Sequence, residues 1–221
     1  MSDEKSMTNV TTRLAIGGTI CAFLMACTVA ITLLPIAENA RIATEKAVYA
    51  VFPGSAKYTE FAIDGNVLKA VNAQTPKDAD RVYATYDAGG KLSGVTFKAK
   101  ARGFQDDVVV LYGYNPEKEC ITGYKVLKSN ETAGFGSKIS TDENFMKNFT
   151  CLDVRLNAEK TGLLNRIKMT ASGKKANQWE FDAITSATIT SRAVEKMLVG
   201  GTEKIIPIIA KNMDTLQKGN E

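Results

Sequence analysis

A run of 24 uncharged residues, from Leu14 to Ala37, constrains the fold more than any other stretch of the sequence. The run is dominated by Ala, Ile, Leu, Val, Phe and Cys. As a helix with a rise of about 1.5 Å per residue, it is longer than the ~30 Å thickness of the bilayer hydrocarbon. We therefore predict one transmembrane helix over residues 14–37, preceded by an N-terminal tail over residues 1–13.

The length of the run disfavours two other interpretations. A cleaved signal peptide has an apolar core of about 7–15 residues, which is shorter than this run. The segment from Leu24 to Cys27 resembles a lipoprotein processing box, but ten more uncharged residues follow Cys27, where a lipoprotein would become polar. Basic residues flank the run on both sides, so the flanking charge does not decide its orientation.

After the membrane, the sequence changes from a helical to a strand period. We predict a juxtamembrane helix from Glu38 to Phe52, broken by Pro53 and Gly54, and a linker up to residue 78. Alternating segments then predict two hairpins with strands over residues 81–86, 92–101, 108–114 and 121–127. The fold class is therefore α+β: one N-terminal transmembrane helix, followed over residues 79–221 by a domain with an antiparallel sheet and flanking helices.

The ionisable side chains exclude several classes of protein. The 28 basic and 24 acidic residues are spread along the chain, so no basic stripe indicates nucleic-acid binding. Histidine is absent, which removes imidazole metal sites and Ser-His-Asp triads. The four cysteines lack Cys-x-x-Cys spacing, and Cys120 and Cys151 could either form a disulfide outside the cytoplasm or remain two buried thiols. No catalytic residue and no metal ligand is predicted.

Five hydroxyl side chains crowd seven residues directly before a helical pattern. They are Thr185, Ser186, Thr188, Thr190 and Ser191. The pattern predicts a helix over residues 192–199 that stops at Gly200 and Gly201, and a last helix over residues 203–217 with Pro207 in its first turn. A helix N-terminus presents unpaired backbone N–H groups and binds anions, phosphate above all. On chemistry alone, an ordinary Ser/Thr helix cap is the simpler interpretation.

A glycine-rich segment lies between the predicted sheet and the hydroxyl cluster. It reads Glu-Thr-Ala-Gly-Phe-Gly-Ser-Lys-Ile over residues 131–139. Gly134 and Gly136 permit a tight loop whose backbone can approach a planar ligand, and Lys138 offers a cation. A weak echo of this segment at Gly103 and Phe104 indicates two related turns. Alone, the segment is typical of an ordinary glycine-rich turn.

Together, the two segments resemble the motifs of the FMN-binding subunits of the Rnf ferredoxin:NAD oxidoreductase and of the sodium-pumping NADH:quinone reductase. The flavinylation motif of that family runs Asp, two variable residues, Ser or Thr, Gly, Ala, Thr, one variable residue, then Ser or Thr. The matching positions are Asp182, Thr185, Ala187, Thr188 and Thr190. Ser186 stands where the family usually has Gly. Residues 131–139 resemble the second motif, Glu-Thr-Pro-Gly-Leu-Gly followed by Lys and Ile.

The resemblance implies an electron-transfer subunit of a redox-driven, ion-translocating oxidoreductase. FMN would be its cofactor, attached covalently through an ester between the Thr188 hydroxyl and the flavin phosphate. The other cofactor-binding residues implied are Thr185, Ser186, Ala187, Ile189, Thr190, Glu131, Thr132, Gly134, Gly136 and Lys138. The G subunit of the Rnf complex is the nearest match, and the C subunit of the sodium-pumping reductase is the alternative.

The same resemblance implies partners and a location. The partners would be the other membrane subunits of the Rnf complex, and a flavin transferase would attach the FMN. The protein would cross the cell (inner) membrane once, with residues 1–13 in the cytoplasm and the FMN domain on the extracytoplasmic side. A hypothesis of another class is a membrane-anchored, non-redox binding module in which the hydroxyls cap a helix. A hydrolase with a Ser or Thr nucleophile and a Lys base has no supporting spacing.

Overall fold

The chain begins with one long helix, α1, which extends over Ser2–Val51 in the computed structural model. The structure describes residues 2–76 and 79–219. Large apolar side chains are exposed all around α1 between Val10 and Ile36. Within the described ranges, α1 is the one helix that is long and apolar enough to cross a membrane. The predicted apolar span is confirmed as part of this longer helix.

Two compact units divide the chain, residues 1–43 and residues 44–221. The second unit contains a seven-stranded sheet in the order β2-β1-β3-β4-β5-β6-β7, in which every neighbouring pair is antiparallel. The strands are β1 Lys57–Asp64, β2 Val67–Ala70, β3 Arg81–Tyr86, β4 Leu92–Arg102, β5 Asp107–Asn115, β6 Cys120–Lys128 and β7 Leu152–Asp153. A separate parallel pair consists of β8 Lys168–Thr170 and β9 Glu180–Asp182. The helices of this unit are α2 Lys138–Thr141, α3 Glu143–Lys147, α4 Thr188–Lys211 and α5 Met213–Lys218.

Both predicted hairpins are confirmed, as β3–β4 and β5–β6. The range assigned to a juxtamembrane helix and linker, residues 38–78, also supplies β1 and β2, which extend the same sheet beyond β3. Neither strand was predicted from the sequence. In β1 the two buried residues, Phe61 and Ala62, are adjacent rather than alternating. The period of two that reveals a half-buried strand is therefore absent from β1.

The sheet buries side chains on both of its faces. In β3, Val82, Ala84 and Tyr86 belong to the main core, which lies between the sheet and α4. Tyr83, which points to the opposite face, packs with the C-terminal end of α1 around Val48. This division follows from the alternation of successive side chains along a strand. The second unit is therefore built in three layers: the end of α1, the sheet, and the helices on the other side.

Three glycines on adjacent strands make room for the end of α1. A Cβ atom at Gly113 would lie 2.2 Å from Val51 Cγ1, and a Cβ atom at Gly94 would lie 2.2 Å from Phe52 Cζ. Gly123, which pairs with Gly113 across β5 and β6, would place its Cβ 2.5 Å from the same Val51 atom. No side chain fits at such separations. We call Gly94, Gly113 and Gly123 the glycine groove, because only glycine lets α1 approach the sheet this closely.

Helix α4 continues through the glycine pair at which the sequence predicted a stop. It extends without a break over Thr188–Lys211, so Pro207 lies near its C-terminal end rather than in the first turn of a separate helix. Gly201 faces the sheet, where a Cβ atom would lie 2.9 Å from Phe97 Cε2. A Cβ atom at Gly200 would meet nothing within 4 Å. At least one of the two glycines therefore permits close packing of the helix rather than ending it.

A disulfide joins Cys120, at the start of β6, to Cys151, just before β7, with Cα atoms 5.2 Å apart. Of the two possibilities that the sequence left open, the structure shows the bonded pair. Cys21 and Cys27, both in α1, are free thiols. The disulfide closes the loop that carries the glycine-rich segment, α2 and α3.

Candidate functional site

The first turn of α4 presents the Thr188 hydroxyl to solvent. Ala187 occupies the N-cap position, and no side chain forms a capping hydrogen bond there. The interpretation of the hydroxyl cluster as an ordinary Ser/Thr cap is therefore wrong. Thr188 is exposed, whereas Thr190 and Ser191 are buried. The Ser191 hydroxyl accepts a hydrogen bond from the Ile184 N–H at 3.1 Å, which fixes the turn before the helix.

Glu131 connects three segments of the chain through one buried carboxylate. Its Oε1 accepts a hydrogen bond from the Gln105 N–H at 3.0 Å, and its Oε2 accepts one from the Phe104 N–H at 3.2 Å. Oε2 also accepts a short hydrogen bond from the Thr190 hydroxyl. Burial by itself would raise the pKa of Glu131, but the hydrogen bonds from Thr190 and from the β4–β5 turn outweigh it and lower the pKa below its ordinary value. Glu131 is therefore a carboxylate at neutral pH.

The two glycines of the glycine-rich segment serve different purposes. Gly134 has φ +76°, a backbone conformation that favours glycine, and its N–H donates to the Ser137 hydroxyl at 3.0 Å. A Cβ atom at Gly136 would lie 2.6 Å from Glu131 Oε2 and 2.9 Å from the Thr190 hydroxyl oxygen. Gly134 thus makes the tight turn, and Gly136 leaves room for the hydrogen bond between Glu131 and Thr190.

These segments surround a cleft of about 390 Å³. Nine of the predicted site residues line it: Glu131, Thr132, Gly136 and every residue from Thr185 to Thr190. Its rim is apolar, because Phe104, Phe135 and Ile189 line the cleft and are more than half exposed (63%, 54% and 55%). The cleft therefore combines a polar end at the start of α4 with exposed apolar surface suited to a flat aromatic ligand.

Lys138 does not line this cleft but contacts its edge. Its ammonium group donates to the Ser186 hydroxyl at 3.4 Å and lines a second, more polar cavity on the other side of Thr185 and Ser186. Ser186, where the resembled family usually has Gly, does not have a positive φ. The backbone at this position therefore does not require glycine. Gly134, the remaining predicted site residue, lies in the adjoining loop outside the cleft wall.

Asp182, the first residue of the matched motif, has a structural role in the described contacts. Its Oδ1 accepts hydrogen bonds from the backbone N–H groups of Lys174 and Lys175 at 3.0 and 2.9 Å. The Thr170 hydroxyl donates to the same oxygen at 3.3 Å. Asp182 thereby closes the loop between β8 and β9 just before the chain enters the cleft wall.

Two cleft residues, Phe104 and Phe135, were not among the predicted site residues. The only signal was the echo between Gly103-Phe104 and Gly134-Phe135, interpreted as two related turns. Both phenylalanines line the same cleft in the structure, and the Glu131 carboxylate in that cleft binds the β4–β5 turn that carries Phe104. The Gln105 side chain adds a second link between the turns, because its amide donates to the Thr132 hydroxyl at 2.7 Å.

Comparison with known protein families agrees with this geometry. The family model described as FMN-binding domain matches residues 103–199. The match begins at the β4–β5 turn and ends within α4, so it contains the whole lining of the cleft. Residues 103–199 are therefore similar in sequence to the FMN-binding domain family.

Relatives extend the similarity to most of the chain. The G subunit of the ion-translocating oxidoreductase complex of Methanosarcina acetivorans is 27% identical over 199 residues, which cover 88% of this chain and 92% of the relative. The G subunit of the Na(+)-translocating ferredoxin:NAD(+) oxidoreductase complex of Acetobacterium woodii is 30% identical over 58% of this chain, and the chain spans 56% of its length. The resemblance predicted from the two motifs is therefore confirmed.

Solved structures share the fold. The crystal structure of Shewanella oneidensis NqrC superimposes with a TM-score of 0.55 at 19% identity, over 76% of this chain and 87% of that chain. The C subunit of the Na(+)-translocating NADH-quinone reductase from Parabacteroides distasonis gives 0.54 at 18% identity, over 70% and 78%. The α+β fold class is confirmed by these likenesses and by the sheet topology.

Proposed function

We propose that this chain is the electron-transferring G subunit of a membrane-bound, ion-translocating ferredoxin:NAD oxidoreductase complex, and that it carries FMN covalently on Thr188. The observation that carries the proposal is the exposed Thr188 hydroxyl, which lies at the start of a long helix and in the wall of a cleft with an apolar rim. The relatives named as G subunits support the assignment to this complex. The fold shared with the NqrC chains does not by itself assign the chain to the sodium-pumping reductase.

The polar end of the cleft fits the phosphate of FMN. The first N–H groups of α4 lack partners within the helix, and the helix dipole places partial positive charge there. The first turn of α4 itself contains no acidic residue, and Glu131, hydrogen-bonded to Thr190, is the one acidic residue among the described residues that line the cleft. Lys138 adds a cation at the Ser186 edge. A phosphate ester on Thr188 would therefore be stabilised by the backbone as well as by a lysine.

The apolar rim fits the ring system of the flavin. Phe104, Phe135 and Ile189 come from three separate segments, yet their exposed side chains line one cleft. Exposed apolar surface of this kind marks a place where another group binds. The aromatic rings of Phe104 and Phe135 can stack on a flat heterocycle. Bound there, the isoalloxazine of FMN supplies one- and two-electron transfer, and the protein supplies its position and environment.

The remaining parts of the proposal concern location and partners. A disulfide persists in an oxidising compartment, so the bond between Cys120 and Cys151 supports an extracytoplasmic position for the FMN domain. Helix α1 would anchor the protein beside the other membrane subunits of the complex, which would deliver and remove the electrons. A flavin transferase would attach the FMN to Thr188. The φ of Ser186 does not require glycine, so the backbone at this position is compatible with the attachment.

The test is an intact mass and a visible absorption spectrum of the full chain, expressed together with a flavin transferase. We expect a yellow protein that is heavier by one FMN, and we expect Thr188→Ala to lose both signals. Thr185→Ala and Ser186→Ala are matched controls, since each removes an exposed hydroxyl of the same cleft and should keep the flavin. A colourless, unmodified wild type would favour the membrane-anchored, non-redox binding module. Flavin retained in Thr188→Ala would place the attachment at another residue.

A further inference from the structure

We infer that Glu131 is a positioning residue, which fixes the uncapped first turn of α4 through the Thr190 side chain and thereby holds the Thr188 hydroxyl in the wall of the cleft. The inference rests on the proposed function in one respect, because the group that Thr188 would carry is the proposed FMN. The contacts of Glu131 themselves are independent of that proposal.

The start of α4 has no local means of fixing its first turn. A helix N-terminus leaves its first N–H groups without partners in the helix, and a Ser, Thr, Asp or Asn cap normally supplies one. Ala187 cannot do so. The hydrogen bond from Thr190 to Glu131 fixes the same turn from outside the helix. Since Thr190 lies two residues after Thr188, this bond also restrains the acceptor hydroxyl.

The surroundings of Glu131 hold its carboxylate in one place. A Cβ atom at Gly103 would lie 2.5 Å from Glu131 Oε1, and a Cβ atom at Gly136 would lie 2.6 Å from Oε2. The backbone therefore closes on both oxygens, which is possible only because both neighbours are glycine. Two N–H groups of the β4–β5 turn and the Thr190 hydroxyl complete the coordination. A carboxylate bound in this way cannot change rotamer without losing three hydrogen bonds.

A second consequence follows from the charge of Glu131. The carboxylate is ionised and lines the cleft, so it places a fixed negative charge beside the proposed flavin. Reduction adds electrons to the flavin, and a neighbouring negative charge opposes that addition. Removal of the charge should therefore shift the midpoint potential of the bound flavin to more positive values. A purely structural role of Glu131 would not produce this shift.

The experiment compares Glu131→Gln, Thr190→Val and Thr190→Ser with wild type in the full chain. Glu180→Gln is the control, because Glu180 is also a buried carboxylate that accepts two backbone N–H bonds at 3.0 Å, but it lies outside the cleft. We expect Glu131→Gln and Thr190→Val to be flavinylated more slowly by about fivefold or more, the effect of one lost hydrogen bond. Thr190→Ser keeps the hydroxyl that donates to Glu131 and should restore the rate that Thr190→Val loses, and Glu180→Gln should behave as wild type. Only Glu131→Gln should shift the flavin potential.

Hydrogen exchange of the apo chains separates this inference from the proposed function. We expect the amides of residues 191–194, which bond to the carbonyl groups of the first turn, to lose protection in Glu131→Gln and Thr190→Val, and to keep it in Thr190→Ser and Glu180→Gln. If wild type carries no flavin, the proposed function fails, and the exchange data alone decide the role of Glu131. Unchanged protection in Glu131→Gln would overturn the inference. Wild-type flavinylation together with an unchanged potential in Glu131→Gln would also overturn it.

Discussion

Two adjacent glycines of α4 should respond in opposite ways to the same substitution. Both Gly200 and Gly201 lie inside the helix, where glycine costs about 1 kcal/mol relative to alanine. A Cβ atom at Gly200 would have open space, so Gly200→Ala should stabilise the fold by about 0.5–1 kcal/mol. A Cβ atom at Gly201 would lie 2.9 Å from Phe97 Cε2 and 3.5 Å from its Cδ2. Gly201→Ala should therefore overpack the core.

The magnitude follows from the position of Phe97. Its ring is fully buried and packs on Tyr112 with 5.8 Å between the ring centroids, so it has little room to move away. Overpacking of a core costs about 1–3 kcal/mol. The gain in helix propensity is common to both variants, so the difference between their unfolding free energies equals this overpacking cost. At about 2–4 °C per kcal/mol for a domain of this size, their midpoints should differ by about 2–12 °C.

The assay is thermal unfolding of the full chain in detergent, followed by circular dichroism, with Gly200→Ala and Gly201→Ala in the same buffer. Replacement of the ring by Phe97→Leu should remove most of the penalty of Gly201→Ala. If Gly200→Ala destabilised the protein, the helix would end at the glycine pair, as the sequence alone predicts. Equal stabilisation by both substitutions would mean that α4 does not approach Phe97.

Three further perturbations test other parts of the structure. Gly113→Ala should destabilise the fold by about 1–3 kcal/mol, because the added Cβ would contact Val51. In chemical denaturation, Val51→Ala should recover part of that loss, whereas strictly additive effects of the two substitutions would contradict the contact. The pKa of Glu131 in the folded protein lies below its ordinary value of 4.5, so its contribution to folding stability should be complete above about pH 4.5 and should decline as the pH falls through the folded pKa. Glu131→Gln should remove this pH dependence, and an unchanged acid unfolding profile would refute the prediction. Phe135→Ala should increase iodide quenching of flavin fluorescence, while Leu164→Ala, equally exposed but outside the cleft, should not; equal quenching in both would contradict a flavin-covering role for Phe135.

The elements that the sequence predicted correctly are those whose signal is local. The apolar length of α1 and the alternation within β3 to β6 are properties of single segments. The adjacent buried residues Phe61 and Ala62 carry no such alternation, so β1 was missed. The low helix propensity of Gly200 and Gly201 led to the prediction that the helix ends there, but the close packing of Gly201 on Phe97 outweighs this propensity and α4 continues. That contact joins residues about a hundred positions apart, and no local pattern records it.

The candidate site also has parts that could be predicted from the sequence and parts that could not. The two motifs led to nine residues that line one cleft, because the resemblance supplied their positions. The hydrogen bond between Glu131 and Thr190 joins residues 59 positions apart, and neither motif by itself shows that they meet. Phe104 had only the echo of a second Gly-Phe pair as a signal. The sequence does not explain why Ala187 is tolerated at the N-cap of α4, because the first turn is fixed by the hydrogen bond from Thr190 to Glu131, which lies outside the helix.

Every residue that lines the cleft falls within residues 104–190, one continuous stretch of the chain. The C-terminal end of α1 packs on the sheet, and β1 to β4 form part of that sheet, but none of these elements lines the cleft. The residues of the proposed redox site and the helix that anchors the protein in the membrane therefore lie in separate parts of the sequence. A different anchor helix or a different edge strand could therefore place the same cleft beside another membrane protein, provided that the fold of the sheet is retained.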